Sequence, residues 1–178
     1  MRTVIIYESV TGCTHLVADE LAAVAREHGD VEVVRVEDAG AGTAVDADLV
    51  LVGGPTHVHG LSTRASRRSG ATAAGPEAVD GALGPDVPGA GLRDWFRLAG
   101  QADGTPAAAF DTRFDGPELV TGRASVGIGR RLRHHGFTEV AAPRSFLVTR
   151  ENRLVSGERE RARGWASSVF ESLLADVG

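Results

Sequence analysis

The sequence contains no lysine, so all 19 of its basic residues are arginine. Cysteine occurs once, as Cys13, and aromatic residues make up only 5% of the chain. A single thiol excludes an internal disulfide and any zinc or iron–sulfur centre built from cysteines. No apolar run approaches the roughly 20 residues of a membrane helix. The apolar stretch after Met1-Arg2-Thr3 is too brief for a secretory signal. The expected protein is therefore soluble and cytoplasmic, with no membrane partner. Against 24 acidic residues the arginines leave a net charge of −5, a field that does not gather polyanions, so no nucleic-acid partner is expected. Arginine without lysine, together with one asparagine and three isoleucines, follows GC-rich codon usage and points to a bacterial source.

What is present is enough for one core. At 178 residues and 42% apolar content, the chain reads as a single domain spanning 1–178. Thr3–Tyr7, Val31–Val36 and Leu49–Val52 are short apolar runs bounded by turn residues, the pattern of buried strands. Ala107–Phe110 and Ser145–Val148 are weaker versions of it. Between them run helical patterns. Residues 13–28 place Val17, Leu21 and Val24 on one face, with Asp19, Glu20, Arg26 and Glu27 elsewhere. Residues 90–99 and 122–135 supply two more helices. Residues 157–175 align Trp165, Val169 and Leu173 behind Ser156 as the expected cap. This alternation predicts an α/β fold, a parallel sheet with helices on both faces.

Residues 60–91 break the pattern, with seven glycines and three prolines in 32 positions. The core of this stretch, about 62–88, is expected to be a Gly/Pro-rich insertion, the least ordered part of the chain, lying over the ligand-binding crevice.

The first strand leads directly into Ser9-Val10-Thr11-Gly12-Cys13-Thr14 and then a helix. Hydroxyls, a glycine and converging N–H groups at a helix N-terminus can cradle a phosphate; the same residues can also serve as a helix cap that binds nothing. The segment is neither a Walker loop nor a dinucleotide fingerprint. A second segment, Gly53-Gly54-Pro55-Thr56-His57, ends the third strand. Together the two resemble the flavodoxin-like family, the first matching its FMN-phosphate loop and the second its loop beside the flavin ring. The resemblance implies a doubly wound, five-stranded parallel sheet of order 2-1-3-4-5 in a three-layer sandwich. It also implies FMN as cofactor, with Ser9, Val10, Thr11, Gly12, Cys13 and Thr14 around the phosphate. Pro55, Thr56, His57, Val58, Asp111, Thr112 and Arg113 would then surround the ring, with His59 and Phe114 as further flanking candidates.

Two departures stand out. Val10 and Cys13 replace residues that often bond the phosphate, and no Trp–Tyr sandwich is in view, so FMN is expected to bind weakly. Gly12→Val is expected to abolish FMN binding at little cost to the fold. The function implied is electron transfer, or reduction of a small acceptor, with a redox protein or NAD(P)H as partner. The alternative is a flavin-free fold acting as a binding module. No catalytic residue and no metal site are assigned, although His57 and His59 could share a metal and Cys13 could be an activated thiolate. Arg130, Arg131, Arg133, His134 and His135 form a basic cluster, read as a solvated helix end or a docking face. Arg64, Arg67 and Arg68 are candidates to catch a dinucleotide phosphate.

Overall fold

A computed structural model describes residues 1–57, 60–63, 65 and 89–175. The strands are β1 (Arg2–Tyr7), β2 (Asp30–Arg35), β3 (Leu49–His57), β4 (Gly60–Leu61), β5 (Pro106–Phe114), β6 (Thr138–Glu139) and β7 (Arg144–Val148). The helices are α1 (Cys13–Ala25), α2 (Leu92–Leu98), α3 (Glu118–Thr121), α4 (Ala124–His134) and α5 (Glu158–Ala175). The parallel path runs β2-β1-β3-β5-β6, with β7 also beside β5 and β4 antiparallel to β3.

The expected order therefore holds, but among the described residues the sheet has seven strands, not five. The fifth position is divided. β6 pairs with the start of β5 at Pro106 and Ala107, and β7 pairs with its end from Phe110 to Phe114. Pro143 lies just before β7, where its missing N–H cannot join a ladder. The other extra strand, β4, turns back on the end of β3, pairing Leu61 with Thr56 and Gly60 with His57.

β3 is longer than its apolar run, because Gly53 to His57 continue as strand. Gly53 faces Phe110 across the ladder, and a Cβ there would stand 2.2 Å from the Phe110 ring. Its glycine makes room for an aromatic ring. The sheet is buried on both faces. On one, Phe110, Phe146, Trp165 and Phe170 pack with α1 and α5. On the other, Val4, Ile6, Val50, Val52, Ala107 and Ala109 meet Trp95, Ile128 and Leu132 of α2 and α4.

Two local expectations change. The residue before α5 is Gly157, at φ 86°, whose carbonyl accepts from Arg161 N, so Gly157 and not Ser156 holds the cap position. Glu20 is buried, because α5 brings Arg159 and Arg163 onto it. Of the expected insertion, Ser62 is buried and donates its hydroxyl to Glu8. Its remainder lies almost wholly outside the described residues.

Candidate functional site

The carboxyl ends of β1, β3 and β5 meet at one crevice, which is where open α/β sheets bind ligands. Val10 and Thr11 form one wall, Pro55, Thr56 and His57 a second, and Thr112, Arg113 and Phe114 a third. Eight of the residues expected around a flavin thus line a single pocket. Val58 and His59 fall outside the described residues. Sequence reasoning missed Val148 at the end of β7 and Asn152 in the β7–α5 loop, which also line the pocket. Asn152 has φ 57°, a left-handed conformation that asparagine tolerates better than most residues. It is the only asparagine in the chain, a signal that could have marked the turn.

The Ser9–Thr14 loop is held from several sides. Gly12 sits at the helix N-cap with φ 88°, a conformation that strains any residue with a Cβ. Gly12→Val therefore costs stability, contrary to the sequence expectation. Ser9 Oγ accepts from Gly12 N at 3.1 Å, and the Thr14 and Thr112 hydroxyls bond at 2.8 Å, tying α1 to β5. Leu16 N is the first helical amide to reach a carbonyl one turn back, Gly12 O at 3.0 Å. Amides before it have no such partner within the helix and project from its N-terminus, where the dipole favours an anion. Cys13 is buried and donates its thiol hydrogen to Asn152 O at 3.1 Å. It acts as a clamp between the loop and the β7–α5 turn. Thr11, Cys13 and Asn152, with Arg153 and Arg159, line a second cavity of about 410 Å³ on the far side of the loop.

Asp111 and Arg113 point to the α4 side of the sheet. Asp111 is fully buried and accepts from Ser125 N at 2.6 Å, capping α4, while Thr56 Oγ1 accepts from Ala124 N at 2.8 Å. Burial drives the Asp111 carboxyl above the ordinary value of 3.8, and bonds to Ser125 and Ser145 oppose the rise. Asp111 is thus a positioning group for the helix, set behind the crevice. Arg113 lines the pocket with its stem, yet its Nη1 donates to Gly116 O at 2.7 Å and to Thr121 Oγ1 at 3.0 Å. Its charge is anchored on the α3 turn.

The two tryptophans are core residues, as expected from their helical placement. Trp165 packs between Phe110 and Phe146, and Trp95 beside Phe96. Tyr7 is buried against His15, and burial raises its pKa. His57 and Phe114 are the aromatic side chains on the described pocket walls. No group of three metal-ligating side chains converges among the described residues, and no helix among them is long and apolar enough to cross a membrane.

Comparison with known proteins agrees with this geometry. Residues 4–67 match the family model described as a flavodoxin domain. No curated protein sequence matches the chain. Flavodoxin 2 from Bacillus cereus superposes with a TM-score of 0.68 at 18% identity, over 96% of this chain and 99% of its own. Flavodoxin 1 from the same organism gives 0.67 at 18%, over 96% and 98%. The rubredoxin oxygen:oxidoreductase of Desulfovibrio gigas gives 0.60 at 20% identity, covering 99% of this chain but 37% of that enzyme. The chain is flavodoxin-like in fold, and its sequence signal lies in the segment that holds β1, the Ser9–Thr14 loop and β3.

Proposed function

We propose that the chain binds FMN in the crevice and serves as an electron carrier or reduces a small acceptor. The observation that carries this reading is the meeting of Val10 and Thr11, Pro55 to His57 and Thr112 to Phe114 in one pocket beside the N-terminus of α1. The residues fit the cofactor's phosphate: a left-handed glycine, a helix N-terminus and the half-exposed Thr11 can form an anion cradle without lysine. Ser9 and Thr14 would hold the loop's shape, since their hydroxyls already bond within the protein. When bound, the isoalloxazine supplies one- and two-electron chemistry. The chain's part is to hold the phosphate, to flank the ring with His57 and Phe114, and to place the anchored Arg113 charge near the pocket.

One observation favours the alternative, a flavin-free binding module. The described walls enclose only about 60 Å³, whereas small-molecule sites commonly measure roughly 300–1,000 Å³. Titration separates the two. The redox reading expects FMN to bind at least about tenfold more tightly than riboflavin, which lacks the phosphate. No FMN binding at millimolar ligand rejects it for the module. Equal affinity for both flavins would keep a flavin site but move it away from Ser9–Thr14.

A further inference from the structure

Arg93 of α2 and Arg131 of α4 both lie beside the short strand β4. Arg93 Nε donates to Ser62 O at 3.0 Å and Leu61 O at 3.3 Å, and its Nη2 donates to Leu61 O at 3.1 Å. Arg131 Nη1 donates to Gly127 O at 3.2 Å. A Cβ on Gly127 would stand 3.7 Å from Arg131 Nη1 and 4.0 Å from the Leu61 side chain, so the two arginines flank Leu61. Both are half-buried, with Arg130 exposed beside them.

None of the three forms an ion pair among the described residues. Their neighbours do: Arg133 pairs with Glu139, and Arg97 with Asp94 at 2.7 Å. Partial burial, then the nearby Arg93 and Arg130 charges, hold Arg131 below the ordinary arginine value. The neighbouring Glu8 carboxylate accepts from Ser62 Oγ and Leu92 N and pairs with none of the three, so an added anion would relieve the gathered positive charge. The main-chain bonds leave three of the five N–H groups of Arg93 unused, and four of those of Arg131. Among the described residues no nitrogen of either guanidinium is a buried atom without a partner. Fixed guanidinium forks of this kind match phosphate oxygens.

We propose that Arg93 and Arg131, with Arg130 at the rim, form an anion site for the phosphate of a small phosphorylated molecule, distinct from the Ser9–Thr14 loop. The site does not depend on flavin binding. It stands behind the crevice on one hairpin, because Leu61 pairs with Thr56, which lines the flavin pocket. A small ion suits it better than an acidic protein surface, since two of the three guanidiniums are half-buried and pinned by carbonyls.

The test is calorimetric titration of the full chain with inorganic pyrophosphate in chloride buffer, with and without FMN to fill the loop. The expected result is a site that persists with FMN and is weakened at least about tenfold in R93Q/R131Q, while R133Q binds like the parent. Should the double variant fail to fold, R131Q alone is expected to show most of the loss. Equal pyrophosphate binding in parent and R93Q/R131Q overturns the proposal, and so does an equal loss in R133Q, which would indicate bulk charge. Poly-glutamate binding without pyrophosphate binding would make the face a protein-docking surface and also overturn it. If FMN fails to bind but R93Q/R131Q still loses pyrophosphate, the flavin reading falls and this site stands.

Discussion

The two faces of the sheet are packed by different means. The face under α1 and α5 is filled with large apolar groups, among them Phe110, Phe146, Trp165 and Phe170. The face under α2 and α4 is built from smaller side chains, with alanine at 107 and 109, and carries buried polar groups at its carboxyl end: Glu8, Asp111 and Arg113. Glu8 accepts from Leu92 N at 2.9 Å, and Asp111 from Ser125 N, so each carboxylate seats the start of a helix. One face supplies stability through volume, and the other positions helix ends and loops around the crevice. Substitutions on the two faces should therefore differ in kind as well as in size.

The largest effect is expected from Phe110→Ala. Phe110 is fully buried, covers Gly53 and lies 6.3 Å from the Trp165 ring. Emptying that space should cost about 3–5 kcal/mol, read as a lower denaturant midpoint at unchanged slope. A loss under about 1 kcal/mol would show that the aromatic face is not the main source of stability.

On the other face Asp111→Ala should cost about 1–3 kcal/mol, because Ser125 N–H loses its buried acceptor. Asp111→Asn keeps an acceptor and tests the charge alone. The folded pKa of Asp111 lies above its ordinary value of 3.8, so the folded state holds the proton more tightly than the unfolded chain. The stability due to this group is then greatest below about 3.8 and falls as pH rises toward the folded value. Melting curves from acid to neutral pH should show this fall in the parent and not in Asp111→Asn. Parallel profiles would place the carboxylate in a better-solvated setting than its burial indicates.

Next in size comes Gly12→Ala. Adding a Cβ at φ 88° should cost about 1–2 kcal/mol. It should also weaken FMN more than it weakens riboflavin, since the strain falls on the phosphate loop. An equal effect on both flavins would detach the loop from the phosphate.

How much of this could be read from sequence differs between the same two regions. Buried strands and amphipathic helices announce themselves by periodicity, and the pattern of Val17, Leu21 and Val24, or Trp165, Val169 and Leu173, corresponds to residues that are buried. The loop and the crevice walls were legible because Ser9–Thr14 and Pro55–His57 are local motifs on adjacent parallel strands. What periodicity cannot show is contact between distant elements. The role of Gly53 as a seat for Phe110 depends on a ladder register 57 residues apart in sequence. The Cys13–Asn152 clamp and the bonds of Arg93 to Leu61 and Ser62 each join segments that share no local pattern. Pro143 was visible in the sequence, but only the pairing of β5 shows that the fifth strand position is divided around it.

Glu20→Gln should have the smallest effect and sharpen the contrast most. Glu20 is a polar group on the otherwise apolar α1/α5 face, buried on α1 and bonded to Arg159 Nη1 at 3.1 Å and Arg163 Nε at 2.5 Å of α5. If it acted like Asp111, its removal would be costly. Its partners, however, are 52% and 56% exposed, so water screens the pair and the arginines can rehydrate when the charge is lost. Glutamine also keeps one acceptor for them. The expected loss is therefore about 1 kcal/mol or less, and it should shrink further with added salt, as an exposed ion pair does. Denaturant melts of parent and Glu20→Gln at low and high salt check this. A loss of several kcal/mol that is insensitive to salt would mean that the α1–α5 seam depends on this ion pair, and that the aromatic face, like its opposite, is positioned by a buried carboxylate.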